Sequence, residues 1–108
     1  MFGLLKKLFS GNDNSQELQS LIKNKALLVD VRTAQEFAQG HVPNSINIPL
    51  DQIPNNIAKF KGHDNIIVFC RSGNRSGQAK GFLEQNGFKN IVNGGTWQNV
   101  KAAQDASK

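Results

Sequence analysis

Apolar residues fall in two patterns along this chain. In one they run almost unbroken: residues 26–31 read ALLVDV and residues 66–70 read IIVFC. Side chains alternate across a strand, so an unbroken run suits a strand covered on both faces, as in a parallel sheet. Two shorter runs, residues 46–48 and 90–92, predict further strands, the first stopped by Pro49. In the other pattern apolar residues recur every three or four positions, the spacing of one helix face. Leu18, Leu21 and Ile22 predict a helix over 15–24. Ile53, Ile57 and Phe60 predict one over 51–60, and Ala79, Phe82 and Leu83 one over 76–86.

Polar and special residues punctuate these elements. Thr33 and Glu36 have the spacing of a capping box and start a short helix with Phe37 as its buried residue. Gly40 ends it, and a loop over 40–45 follows. Pro54 falls in the first turn of its helix, where a missing N–H is harmless. Residues 61–64 turn the chain. Gly87 is placed to end the 76–86 helix in the left-handed conformation, with Phe88 closing over the end. Gly94-Gly95 reads as a turn, and Thr96 as the cap of a last helix carrying Trp97 and Val100. From Gln104 the tail is polar and expected to fray. Strands alternating with short helices predict an α/β sandwich around a mainly parallel sheet. There is no internal repeat. The chain divides into an N-terminal segment and linker (1–14), one domain (15–104) and a polar tail (105–108).

The N-terminal segment follows its own pattern. Phe2, Leu4, Leu5, Leu8 and Phe9 share one side of a helical wheel, with Lys6 and Lys7 off it. Such a short amphipathic helix suits docking on the domain or loose fraying, and at most weak contact with a membrane surface through residues 2–9. The lysines interrupt any signal-peptide core. No apolar run approaches the roughly 20 residues that span a bilayer.

Composition sharpens this reading modestly. At 108 residues there is room for one small domain. The net charge of +5 fits an anionic substrate, an acidic partner or simple solubility. Basic residues are scattered and tyrosine is absent, which argues against nucleic-acid binding. A single cysteine excludes an internal disulfide and a cysteine-rich zinc site. His41 and His63 lack metal-ligand spacing. A lone thiol without an export signal predicts a reducing, cytoplasmic setting.

The lone thiol is also where the chemistry concentrates. The apolar run delivers Cys70 to the polar segment Arg71, Ser72, Gly73, Asn74 and Arg75, and Ser76 opens a helix. A free cysteine is only a few per cent thiolate at neutral pH. Two guanidinium charges and backbone N–H groups of a loop entering a helix both favour the thiolate. Gly73 and Asn74 tolerate the backbone angles of a tight loop. The competing reading is a buried structural thiol. Against it, Cys70 ends the apolar run and is followed at once by Arg-Ser-Gly-Asn-Arg.

In these features the chain resembles the single-domain rhodaneses of the rhodanese-like sulfurtransferase family. The resemblance covers about residues 15–100. It rests on Leu28-Val29-Asp30-Val31-Arg32, Glu36-Phe37, Gly40-His41-Val42-Pro43, Asn47-Ile48-Pro49, Cys70 to Arg75 with Ser76, and Gly94-Gly95 followed by Trp97. Each fragment is weak; their order and spacing together are specific. Asn44-Ser45 stands where the family usually has Gly-Ala, and Asn supplies the same turn.

The resemblance implies a three-layer α/β sandwich and a catalytic Cys70. The Cys70 thiolate attacks the outer sulfur of thiosulfate or a similar small anionic donor, and sulfite leaves. A Cys70 persulfide remains, held by backbone N–H groups of residues 71–75. A thiol, cyanide or a protein thiol then accepts the sulfur. No cofactor or metal is implied. Ser76, Asp30 and Arg32 support the site: buried Asp30 needs partners, and Arg32 is expected to pair with acids such as Glu36. His41 is a structural hydrogen-bonding residue rather than a base. Arg71 is expected to point outward and attract the donor, and Arg75 to brace the loop and stabilise the anion.

Two rivals stand beside this reading. One is a non-catalytic interaction or sensing module on the same fold. The other is a cysteine phosphatase, whose relatives of the fold carry C-x5-R. Here Cys70 to Arg75 is C-x4-R, a smaller cradle suited to one sulfur.

Overall fold

Four strands form one parallel sheet, in the spatial order β2-β1-β3-β4. They are β1 (Leu27–Asp30), β2 (Ile46–Asn47), β3 (Ile66–Cys70) and β4 (Ile91–Thr96). The helices are α1 (Ser15–Lys23), α2 (Ala34–Gln39), a 3-10 helix (Leu50–Phe60), α3 (Asn74–Gln85) and α4 (Trp97–Ala106). The computed structural model describes residues 14–108. The amphipathic helix expected over 2–9, and the linker up to residue 13, lie outside the described residues. Among the described residues no helix is long and apolar enough to cross a membrane.

β3 is central and all five of its residues are fully buried. Its alternation divides the core in two. Ile66, Val68 and Cys70 meet Val29, Val31, Ile53, Phe60, Ala79 and Leu83, under the 3-10 helix and α3. Ile67 and Phe69 meet Leu18, Leu28, Val42, Val100 and Ala103, under α1 and α4. Helices therefore cover both faces, which is the three-layer sandwich.

Several elements depart from the sequence reading. The segment over 50–60 is 3-10 and kinks at Asn56 (φ −129°, ψ 25°). Pro54 lies inside it and offers no N–H to an α-helical ladder. Phe37 is only half-buried and stacks on His41, ring centroids 3.9 Å apart. The last helix does not fray at Gln104. It runs to Ala106, and Gln104 is buried with its Nε2 donating to the Pro43 carbonyl at 2.8 Å. At the other end of the prediction, Gly87 is left-handed (φ 94°). The Phe88 N–H reaches the Leu83 carbonyl at 3.1 Å, as a Schellman cap requires.

The most consequential departure is β4. Gly94-Gly95 does not turn; the strand continues to Thr96 through a bulge. Val68 pairs with Asn93 and Phe69 with Gly95, so Gly94 is the extra residue. Gly94 faces α4 at close range. A Cβ there would lie 2.6 Å from Val100 Cγ2 and 2.9 Å from Ile67 Cγ2, both on fully buried side chains. Gly94→Ala is accordingly expected to destabilise the domain by ~1–3 kcal/mol through overpacking, read as a lower urea midpoint. An unchanged midpoint would show that α4 shifts at no cost.

Candidate active site

Strand alternation decides where the cysteine points. Cys70 shares the α3-facing side of β3 with Ile66 and Val68, so its Sγ lies under the start of that helix. Gly73 adopts the left-handed conformation (φ 96°, ψ −11°), which only glycine takes freely. It reverses the chain within three residues, and α3 begins at Asn74. The sequence reading placed Asn74 and Arg75 in the loop and began the helix at Ser76. They instead form the first turn, because the glycine turn ends sooner than the polar run suggests.

Sγ of Cys70 has no exposed surface. It accepts hydrogen bonds from the backbone N–H of Gly73 at 3.0 Å and of Ser76 at 3.4 Å, and Ser76 Oγ lies at 3.5 Å. Burial pushes the thiol pKa up. The Ser76 hydroxyl and the N–H groups of Ser76, Ser72 and Gly73 outweigh it, so the thiol lies below its ordinary value. Of residues 71–75, expected to supply N–H groups, Ser72 and Gly73 do so at Sγ, and Ser76, one residue past that stretch, joins them. The Asn74 N–H turns instead to Ser72 Oγ at 3.4 Å.

The two arginines of the loop segment separate. Arg71 is exposed and borders an open cleft of about 390 Å³ with Glu36, Gln39, Trp97 and Gln98. Arg75 grips the Glu36 carboxylate with both ends of its guanidinium, Nη1 to Oε1 at 2.8 Å and Nη2 to Oε2 at 3.1 Å. Glu36 also completes the capping box of α2, accepting from the Thr33 N–H at 3.0 Å while its own N–H donates to Thr33 Oγ1 at 3.2 Å. The Arg75 hydrogen bond, then those of Thr33, draw its carboxyl pKa down to about 2. The start of α3 is thereby bolted to the start of α2.

Arg32 does not pair with Glu36, as the sequence reading expected. It precedes the Thr33 cap, and its side chain turns back to Asp30: Nε meets both carboxylate oxygens at 2.9 Å, and Nη2 meets Oδ2 at 2.7 Å. Nη2 also donates to the Gly40 carbonyl at 2.7 Å, and the guanidinium lies 4.8 Å from the Trp97 ring centroid. Both members of the pair are buried, so Asp30 and Arg32 brace the loop after α2. His41 is exposed, with Nδ1 2.9 Å from the Phe37 carbonyl oxygen.

Sequence reasoning missed Asn93 and gave Asn47 no role beyond the family resemblance. Asn93 shares the α3-facing side of β4 with Ile91 and meets Ser76, Gly73 and Gly95. Its only signal was a polar residue two positions after Ile91, hidden by reading the following glycines as a turn. Asn47 Nδ2 bridges the Asp30 and Arg32 carbonyls at 3.0 and 2.9 Å.

A sequence model of the rhodanese-like domain matches residues 14–102. The chain belongs to the rhodanese-like family. Among its relatives, a sulfurtransferase of Allochromatium vinosum is 39% identical over 67 residues, covering 62% of this chain and 63% of that protein. The thiosulfate sulfurtransferase PspE of Escherichia coli is 35% identical over 74 residues, covering 67% of this chain and 71% of the relative. Among solved structures, a rhodanese with anions from E. coli superposes with a TM-score of 0.64 at 34% identity. That match covers 68% of this rhodanese-like chain and 89% of the other.

Proposed function

We propose that this rhodanese-like domain is a sulfurtransferase that carries sulfane sulfur as a Cys70 persulfide. One observation supports it above the rest: a buried thiol whose Sγ receives N–H groups from the loop and first turn of α3. A purely structural thiol has no need of such donors, whereas a nucleophile that must exist as an anion does. The Cys70 thiolate attacks the outer sulfur of a small anionic donor such as thiosulfate. The donor S–S bond breaks and sulfite leaves with its electron pair. An acceptor thiolate or cyanide then attacks the outer sulfur of the persulfide, and the bonding pair returns to Sγ. Sγ is covered, so the groups over it have to move aside for the donor. Arg71 supplies charge at the cleft to attract it.

Incubation with thiosulfate followed by intact-mass measurement tests this. The expected result is a gain of one sulfur atom that cyanide removes and that Cys70→Ser abolishes. No adduct together with no cyanide-dependent turnover would overturn the reading. Turnover of an aryl phosphate in its place would favour the phosphatase.

A further inference from the structure

The side-chain amide of Asn93 has its orientation set by its neighbours. Oδ1 accepts from the Gly95 N–H at 2.9 Å, and Nδ2 donates to the Gly73 carbonyl at 3.2 Å. Turning the amide over would set a carbonyl against Oδ1 and an N–H against Nδ2. Oδ1 therefore also accepts the Ser76 hydroxyl proton, Oγ to Oδ1 2.7 Å. A hydroxyl has one proton. With that proton on Asn93, Ser76 Oγ can only accept from Cys70, 3.5 Å away. This arrangement suits the thiol. When Sγ is an anion, the hydroxyl has to leave Asn93 and turn toward sulfur to help it. Asn93 tolerates the departure, because the Gly95 N–H keeps Oδ1 satisfied.

We propose that Asn93 is a positioning residue of the sulfur-transfer site, which sets whether the Ser76 hydroxyl presents its lone pair or its proton to Cys70. The role in transfer rests on the sulfurtransferase reading. In the free enzyme the hydroxyl points to Asn93 over the thiol and to Sγ over the thiolate, the thiol proton having gone to solvent. In the persulfide the negative charge sits on the outer sulfur, and the hydroxyl returns to Asn93. When the acceptor takes that sulfur and the electron pair returns to Sγ, the hydroxyl turns back and stabilises the leaving thiolate. A better-stabilised leaving thiolate departs faster.

Thiol ionisation tests the switch without any sulfur donor, so it can fail while sulfur transfer stands. The charged groups around the thiol are its chain neighbour Arg71 and Arg75, which Glu36 holds; Asp30, paired with Arg32, acts on Arg75, and none of these is altered in the variants used. The pH midpoint of iodoacetamide alkylation is measured in the native protein, Asn93→Ala, Ser76→Ala and the double variant. Losing Asn93 also removes the tether to the Gly73 carbonyl, and this effect is common to both backgrounds. With Ser76 present, Asn93→Ala frees the hydroxyl for sulfur. Its midpoint shift is expected to be about 0.5–1 pH unit more downward than in the Ser76→Ala background, the worth of one competing hydrogen bond. Equal shifts in the two backgrounds, or a difference of opposite sign, overturn the proposal. If Asn93→Ala does not fold, Asn93→Asp decides. Its carboxylate holds the hydroxyl more firmly, so the midpoint is expected to rise further with Ser76 present than without it; equal rises overturn the proposal.

Discussion

Asp30→Ala is expected to destabilise the domain by ~3–5 kcal/mol, a large part of the roughly 5–15 kcal/mol that holds a domain folded. The Asp30 carboxylate is wholly buried and Arg32 nearly so. Removing the carboxylate leaves a nearly buried guanidinium without its counter-charge. Arg32 keeps its bond to the Gly40 carbonyl and its place over Trp97, which neutralise nothing. The pair itself adds little net stability, because desolvating both charges offsets most of their attraction. Asp30→Ala combined with Arg32→Met should therefore recover at least half of what Asp30→Ala loses. Urea unfolding of the three proteins checks both statements. A loss within about 1 kcal/mol for Asp30→Ala alone would mean that Arg32 swings out to solvent and that the pair does not pin the loop after α2.

The central strand was legible because burial on both faces leaves a direct trace, an apolar run without gaps. The same run placed Cys70 at a strand end, and the glycine after it marked the turn. The full length of β4 was not legible. Glycine pairs usually mark turns, and here they serve a bulge and a close approach by Val100, which only the packed structure reveals. The partner of Arg75 was hidden for another reason. Glu36 is 39 positions away, and no local pattern encodes a contact made by the sheet topology. Arg32 beside a helical Glu36 invited a local pairing. Arg32 lies outside the helix, however, and the buried Asp30 two residues back has the stronger claim on it. Asn93 belongs with these: its position on the α3-facing side follows from the register of β4, and its partners are distant in sequence or shielded by the bulge.

Arg75→Ala is expected to lower sulfur-transfer kcat/KM by ~100-fold while costing less than about 1 kcal/mol of stability. The two effects differ because of where the pair lies. Arg75 and Glu36 keep 32% and 27% of their side-chain surface exposed, so their attraction is screened and contributes little to folding. Their position is what matters. The guanidinium fixes the first turn of α3, whose Ser76 N–H points at Sγ, and its charge acts on the Cys70 anion. Glu36→Gln separates the two parts of this role. It removes the anchoring charge and leaves Arg75 in place, so its loss of turnover should be smaller. Glu36 also predicts the acid behaviour of the native protein. Its carboxyl titrates near 2 when folded, below its ordinary 4.5. The folded state thus binds this proton less readily than the unfolded chain. The stability the group contributes is present above about pH 4.5 and is lost as pH falls toward 2. Glu36→Gln should flatten the stability profile in that window and leave it unchanged near neutral pH apart from a constant offset. Equal losses of turnover and stability in Arg75→Ala, or an unaltered acid slope in Glu36→Gln, would reduce the pair to a surface contact without a part in holding the thiolate.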